Sequence, residues 1–168
     1  MPITTTTAKD HQARWQEIAR DPVLRDLSYK VETNAQGQLI VSPHQNSHSF
    51  LQASVRDLLQ EQASEGVVVP EFAIATEQGV KVPDVIWTSP ERRDEMEATG
   101  DPTTLAPEIC IEVMSDTNTE EEMQQKRSLY LQAGAEEVWV VDGEGRVRFF
   151  GEADMERSSL VPGYPTRV

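Results

Sequence analysis

Ala106-Pro107-Glu108-Ile109-Cys110-Ile111-Glu112-Val113-Met114-Ser115 is the stretch on which the fold turns. Residues 107–114 are too short and too continuously apolar for an ordinary surface helix, which predicts a buried strand. Glu112 interrupts that apolar run. An ionised carboxylate in such surroundings is costly unless it is paired, protonated or bound to a metal. Downstream, Met123, Lys126, Tyr130 and Ala133 recur at three- and four-residue steps, which predicts a helix over 118–133, ended by Gly134. Strands over 138–142 and 147–150 follow, on either side of the turn Gly143-Glu144-Gly145.

Upstream, a second carboxylate breaks a second apolar run, Val82-Pro83-Asp84-Val85-Ile86-Trp87. Residues 67–76 and 80–87 are β-rich and joined by Glu77-Gln78-Gly79, a hairpin signal, with Pro83 marking an edge or a bulge. Leu51, Val55, Leu58 and Leu59 predict a helix over 45–63, with Gly66 as its stop. Before it, 29–33 and 38–42 flank the turn Asn34-Ala35-Gln36-Gly37, an earlier hairpin. Residues 17–26 read as a helical lead-in broken at Asp21-Pro22. The polar stretch 88–106 reads as a long excursion, 151–168 as an irregular or edge element, and 1–9 as a flexible tail. The alternation of helices and strands predicts one α/β domain over residues 1–168.

Composition narrows the function classes. The threonine-rich start lacks the basic and apolar regions of a signal peptide, and no apolar run approaches the ~18 residues of a membrane span. The single cysteine, Cys110, excludes an intramolecular disulfide and reads as a small buried hydrophobe, so the expectation is a soluble protein of the reducing cytoplasm. Fifteen Lys and Arg against 29 Asp and Glu leave a formal charge of −14, which repels polyanions at long range and argues against sequence-blind nucleic-acid binding. An enzyme whose divalent ion inverts the local charge is less affected.

Two carboxylates on successive strands suit one hard cation, because such ions prefer oxygen ligands and retain several waters. Each acid alone also fits the polar face of an amphipathic strand. Lys126 shares the apolar stripe of its helix and so points inward; the competing readings are that it snorkels to water or pairs with Glu122. Glu120-Glu121-Glu122 complements the helix dipole in its first turn. Trp87, Tyr130 and Trp139 sit in regular apolar patterns and read as core.

Taken together, Val82-Pro83-Asp84-Val85, the run 106–115, and Lys126-Arg127-Ser128-Leu129-Tyr130 with Ala133-Gly134-Ala135-Glu136-Glu137-Val138-Trp139 resemble the Uma-type family of restriction endonucleases, within the PD-(D/E)XK nuclease superfamily. The resemblance reaches upstream to Ser42-Pro43 and His48 and covers residues 29–150. It implies a restriction-endonuclease-like α+β core, a mixed β-sheet flanked by helices, with Asp84 and Glu112 as the paired acids. In the usual pattern a lysine stands two residues after the second acid; here that position is Met114, which cannot donate. Lys126 matches members whose lysine has migrated to the following helix. Asp116 and Gln125 depart from the family pattern without removing a ligand. The implied chemistry is cleavage of DNA phosphodiesters, with Mg²⁺ or Mn²⁺ held by Asp84, Glu112 and the Val113 carbonyl, while Lys126 orients or deprotonates the attacking water.

Glu32 and His48 match family positions too. Glu32 reads as a solvent-facing hairpin carboxylate ahead of a further acid of the cleft, and His48 as a core or interface histidine ahead of a phosphate contact. Two other functional readings stay open: a nuclease-like module that no longer cuts and assembles as a homodimer, and an enzyme acting on a small phosphodiester.

Overall fold

A computed structural model describes residues 7–168, which begin with helix α1 (Ala8–Arg20). Thr7 and Asp10 close its first turn reciprocally: the Thr7 side chain accepts from the Asp10 amide, and the Asp10 carboxylate accepts from the Thr7 amide. The helix therefore starts well before residue 17. Residues 7–9, expected to be tail, are a cap and a helical start; the rest of that expected tail, 1–6, lies outside the described residues. The stop at Asp21-Pro22 is where the sequence places it, with Asp21 extended as the C-cap.

Strands β1 (Lys30–Thr33) and β2 (Leu39–Ser42) form the first hairpin, in register from Lys30↔Ser42 to Thr33↔Leu39. Asn34 Oδ1 accepts from the amides of Gln36 and Gln38 and so fixes the turn. Helix α2 (Asn46–Gln62) follows, buried through Val55 and Leu59. Each of the two long β runs then breaks in two, giving β3 (Val67–Pro70), β4 (Ile74–Thr76), β5 (Gly79–Lys81) and β6 (Val85–Thr88). β4 and β5 form the expected hairpin as a separate two-stranded sheet, while β3 and β6 pair in the main sheet. The breaks coincide with Glu71, at φ +49°, and with Pro83, which lacks the N–H a continuous ladder needs. Asp84 sits at the second break, and its carbonyl accepts from the Glu71 amide. Gly79, at φ +104°, lets β5 run so close to β1 that a Cβ there would lie 2.3 Å from the Thr33 carbonyl oxygen.

The excursion expected over 88–106 contains a helix, α3 (Pro90–Thr99). Its signals are local: Ser89 caps the Arg92 amide and Pro90 opens the first turn. It escapes a periodicity reading because Met96 is its one buried residue. The remaining elements are β7 (Ile109–Val113), α4 (Glu120–Gln132), β8 (Glu137–Val141), β9 (Val147–Phe150) and a short β10 (Asp154–Met155), the edge element expected near the C-terminal end.

The main sheet runs β10-β9-β8-β7-β6-β3, with β7 and β8 parallel and all other pairs antiparallel. It is thus a mixed sheet. Val85, Ile109, Ile111, Val113 and Trp139 pack on one face with Val55 and Leu59 of α2; Ile86, Cys110 and Val138 pack on the other with Tyr130 of α4. Covered on both sides, β7 is buried along its whole length, which is why it reads as a continuous apolar run. Cys110 is buried and reduced, with burial pushing its thiol pKa up, and Trp139 packs edge-on to Phe149 in the core.

Candidate active site

The register between β6 and β7 decides where the two acids go. Val85 faces Ile111 and Ile86 faces Cys110, so one further step sets Asp84 opposite Glu112. Side chains alternate along a strand, so Asp84 shares the face of Ile86 and Glu112 that of Cys110, the α4 side of the sheet. Both acids are 1–2% exposed. They project from the same face, as a shared ion requires.

Lys126 turns into this site. Its Nζ donates to Glu32 Oε1 at 2.9 Å and to Glu112 Oε1 at 3.3 Å, and its side chain is 17% exposed. It neither snorkels to bulk water nor pairs with Glu122, whose carboxylate accepts from Asn118. One turn on, Tyr130 donates its hydroxyl to Glu112 Oε1 at 2.5 Å. The aromatic ring is core, as its spacing predicts, but its polar tip belongs to the site.

Four further residues complete the cluster. Lys30 and Glu32 are two positions apart on β1 and so point the same way. Glu32 is buried rather than solvent-facing, because its Oε2 accepts from the Val82 amide at 2.6 Å while Lys126 holds Oε1. Lys30 Nζ lies 3.1 Å from Asp84 Oδ1 and 3.6 Å from Glu112 Oε2, linking the two acids. His48, from the first turn of α2, sits in the cleft rather than in the core, with Nε2 3.4 Å from Asp84 Oδ2 and the Val113 backbone also beside its ring. The Val113 amide donates to the same Asp84 oxygen at 2.7 Å. Lys81 donates to the Thr33 carbonyl at the margin. Alternation on β1 was the one sequence signal for Lys30, and it acquires meaning only once Glu32 is known to face inward.

The electrostatics follow from this wiring. Burial disfavours the charged form of Asp84, but Lys30, His48 and the Val113 amide outweigh it and hold the carboxyl well below its usual range. Glu32 is lowered in the same way, by Lys126 and Lys30 against burial. Glu112 goes the other way: complete burial, with Asp84 and Glu32 nearby, raises its pKa despite the two lysines. Burial opposes charge on Lys126, yet Glu112 and Glu32 raise its pKa, so it is an ammonium at neutral pH. The Asp84 hydrogen bond likewise raises His48.

These groups line an open cleft of about 1140 Å³, bordered by Ser42, His44 and Gln45 on one side and Asn118 and Gln125 on the other. Its donor set suits a hard cation: Asp84 Oδ1 and Glu112 Oε2 are directed at one shared positive charge, the Lys30 ammonium. Among the described residues, no three His, Cys, Asp or Glu side chains form a closed metal cage. An ion here would keep waters in its shell, as Mg²⁺ does.

Residues 15–160 match the model of the Uma2 family, described as "putative restriction endonuclease". In three dimensions the chain is similar to the crystal structure of a "putative nuclease belonging to DUF820" from Anabaena variabilis ATCC 29413. The two share 20% identity over 82% of this chain and 74% of that one, with a TM-score of 0.55, a likeness that speaks for the fold. No curated protein matches the chain. No helix among the described residues is long and apolar enough to cross a membrane.

Proposed function

Since the chain belongs to the Uma2 family, we propose that it is a divalent-metal-dependent endonuclease that hydrolyses DNA phosphodiesters in the cleft between β6, β7 and α4. The observation that carries this reading is the convergence of Asp84, Glu112 and Lys126, from three separate elements, on the same sheet face. Asp84, Glu112 and the Val113 carbonyl would hold Mg²⁺ or Mn²⁺. When bound, such an ion supplies a coordinated water of lowered pKa and polarises a phosphoryl oxygen.

The protein's own groups prepare the rest. Tyr130 and Lys126 both engage Glu112 Oε1, fixing the rotamer and leaving Oε2 for the ion. His48 and the Val113 amide do the same for Asp84 through Oδ2, leaving Oδ1. Lys126, protonated beside Glu32 and Glu112, orients the attacking water by donation and meets the negative charge on the phosphoryl oxygens. Its charged state favours this role over deprotonating the water itself. With a formal charge of −14, the chain relies on the bound ion and these few cations to receive a polyanion.

Melting with millimolar Mg²⁺ or Mn²⁺ tests the site. An ion present at about a hundredfold its Kd should raise the Tm by about 5–10 °C. Asp84→Ala, compared with its own metal-free form, should show no rise. An unshifted wild type, or a variant that shifts as far as the wild type, would contradict the metal site.

A further inference from the structure

Lys30 occupies the point where the free oxygens of the two acids meet. Every other donor in the site addresses the opposite oxygen of each carboxylate: Val113 and His48 take Asp84 Oδ2, and Lys126 and Tyr130 take Glu112 Oε1. Lys30 Nζ alone of these groups contacts Asp84 Oδ1 and Glu112 Oε2. We infer that Lys30 is a built-in counter-cation of the metal-free site, and that a divalent ion loads by displacing its ammonium from between Asp84 and Glu112. This rests on the metal reading proposed above.

The physical grounds are charge and position. Two carboxylates facing each other at near-complete burial would repel without a cation, so the metal-free fold needs one there. A dication bound to the same two oxygens would be repelled by an ammonium held 3.1 and 3.6 Å from them, so the two cations compete for the same pair of ligands. Lys30 has somewhere to go. Its side chain is 13% exposed and lines the open cleft. Lys126 is placed differently: it is tied to Glu32 and to the Glu112 oxygen turned away from Lys30, so it can stay when the ion enters.

The consequence is competition. An ion that must first expel a resident group binds with an apparent affinity lowered by the fraction of time the site is free. Removing the charge from Lys30 should therefore tighten Mn²⁺ binding, by about tenfold or more if Lys30 is in place at least nine-tenths of the time. Calorimetric titration of Mn²⁺ into wild type, Lys30→Met and Lys30→Arg reads this directly, with Lys30→Gln as the neutral variant should the methionine form fail to fold. Tighter binding to the neutral variant than to the wild type, with the arginine variant no tighter than the wild type, supports the inference. A wild type that binds with a neutral variant no tighter overturns the displacement and leaves the metal site standing. No binding by either overturns both. In the unaltered protein, acetylation of Lys30 followed by mass spectrometry should accelerate on adding Mg²⁺, and an unchanged rate would also overturn the inference.

Discussion

Lys126→Met is expected to lower folding stability by about 3–5 kcal/mol, because it removes one member of a buried ionic cluster and leaves its partners in place. Methionine keeps the length and apolar contacts of the lysine stem, so the loss is electrostatic. Glu32, 6% exposed, would retain only the Val82 amide and more distant charges, and Glu112 would lose one of its two nearby cations. The pH dependence carries a definite sign. Lys126 helps to hold Glu32 below the usual carboxylate range, so the stability it contributes is present above that range and is lost as pH falls through it. The gap between wild type and variant should thus narrow on acidification. Urea unfolding at neutral and acidic pH measures it; a neutral-pH loss under about 1 kcal/mol would show that the cluster does not need this cation.

Glu137→Ala should be comparably damaging, at a place remote from the chemistry. Glu137 opens β8 and is 2% exposed, and it holds the last segment of the chain onto the sheet. Its Oε1 accepts from the amides of Ser159 and Leu160 at 2.7 and 3.1 Å. Its Oε2 accepts from Trp139 Nε1 and the Ser158 hydroxyl at 2.8 and 2.6 Å. Alanine would strand all of these donors, two of them fully in the core, at a total of about 3–5 kcal/mol and roughly 10 °C in Tm. Hydrogen exchange should accelerate at Ser159, Leu160 and Val161 before it does in β7. Glu137→Gln, which keeps an acceptor, should lose less. Equal losses in the two variants would mean that the carboxylate acts by charge rather than as a hub of hydrogen bonds.

Which features could be read from the chain, and which could not, has a physical logic. Asp84 and Glu112 stand out because each interrupts an apolar run, and burial makes such an interruption expensive enough to need a reason. Lys126 stands out because helical spacing puts it on the stripe of Met123 and Tyr130. The sheet register that brings the acids together is a tertiary property, invisible in either strand alone. Lys30 and Glu32 lie on a short hairpin and His48 in the first turn of α2, stretches whose composition resembles any surface hairpin or helix start; only packing against β5 and β6 turns them inward. α3 is hidden for the opposite reason, since its caps are explicit but its body is polar and buries little. The Thr7–Asp10 box that starts α1 was equally present in the sequence, masked by the threonine run around it.

The buried cluster sets three carboxylates, Glu32, Asp84 and Glu112, against the ammonium groups of Lys30 and Lys126 and the His48 imidazole, with Lys81 at its margin, so acids and bases are closely matched there within a strongly acidic chain. An ion exchanged for Lys30 would change the local field toward positive and free a lysine at the cleft wall. Both changes favour an anionic substrate, which gives a physical route by which an acidic protein could receive a polyanion once metal is bound.

Nicking of supercoiled plasmid in Mg²⁺ or Mn²⁺ reads out the catalytic roles of Asp84, Glu112 and Lys126. At a temperature where every variant is folded, wild type should convert supercoiled to open-circular DNA only when the ion is present. Asp84→Ala and Lys126→Met should each be slower by at least about a hundredfold. A wild type that leaves the plasmid intact with every divalent ion, or a Lys126→Met that nicks it at the wild-type rate, would contradict the assignment.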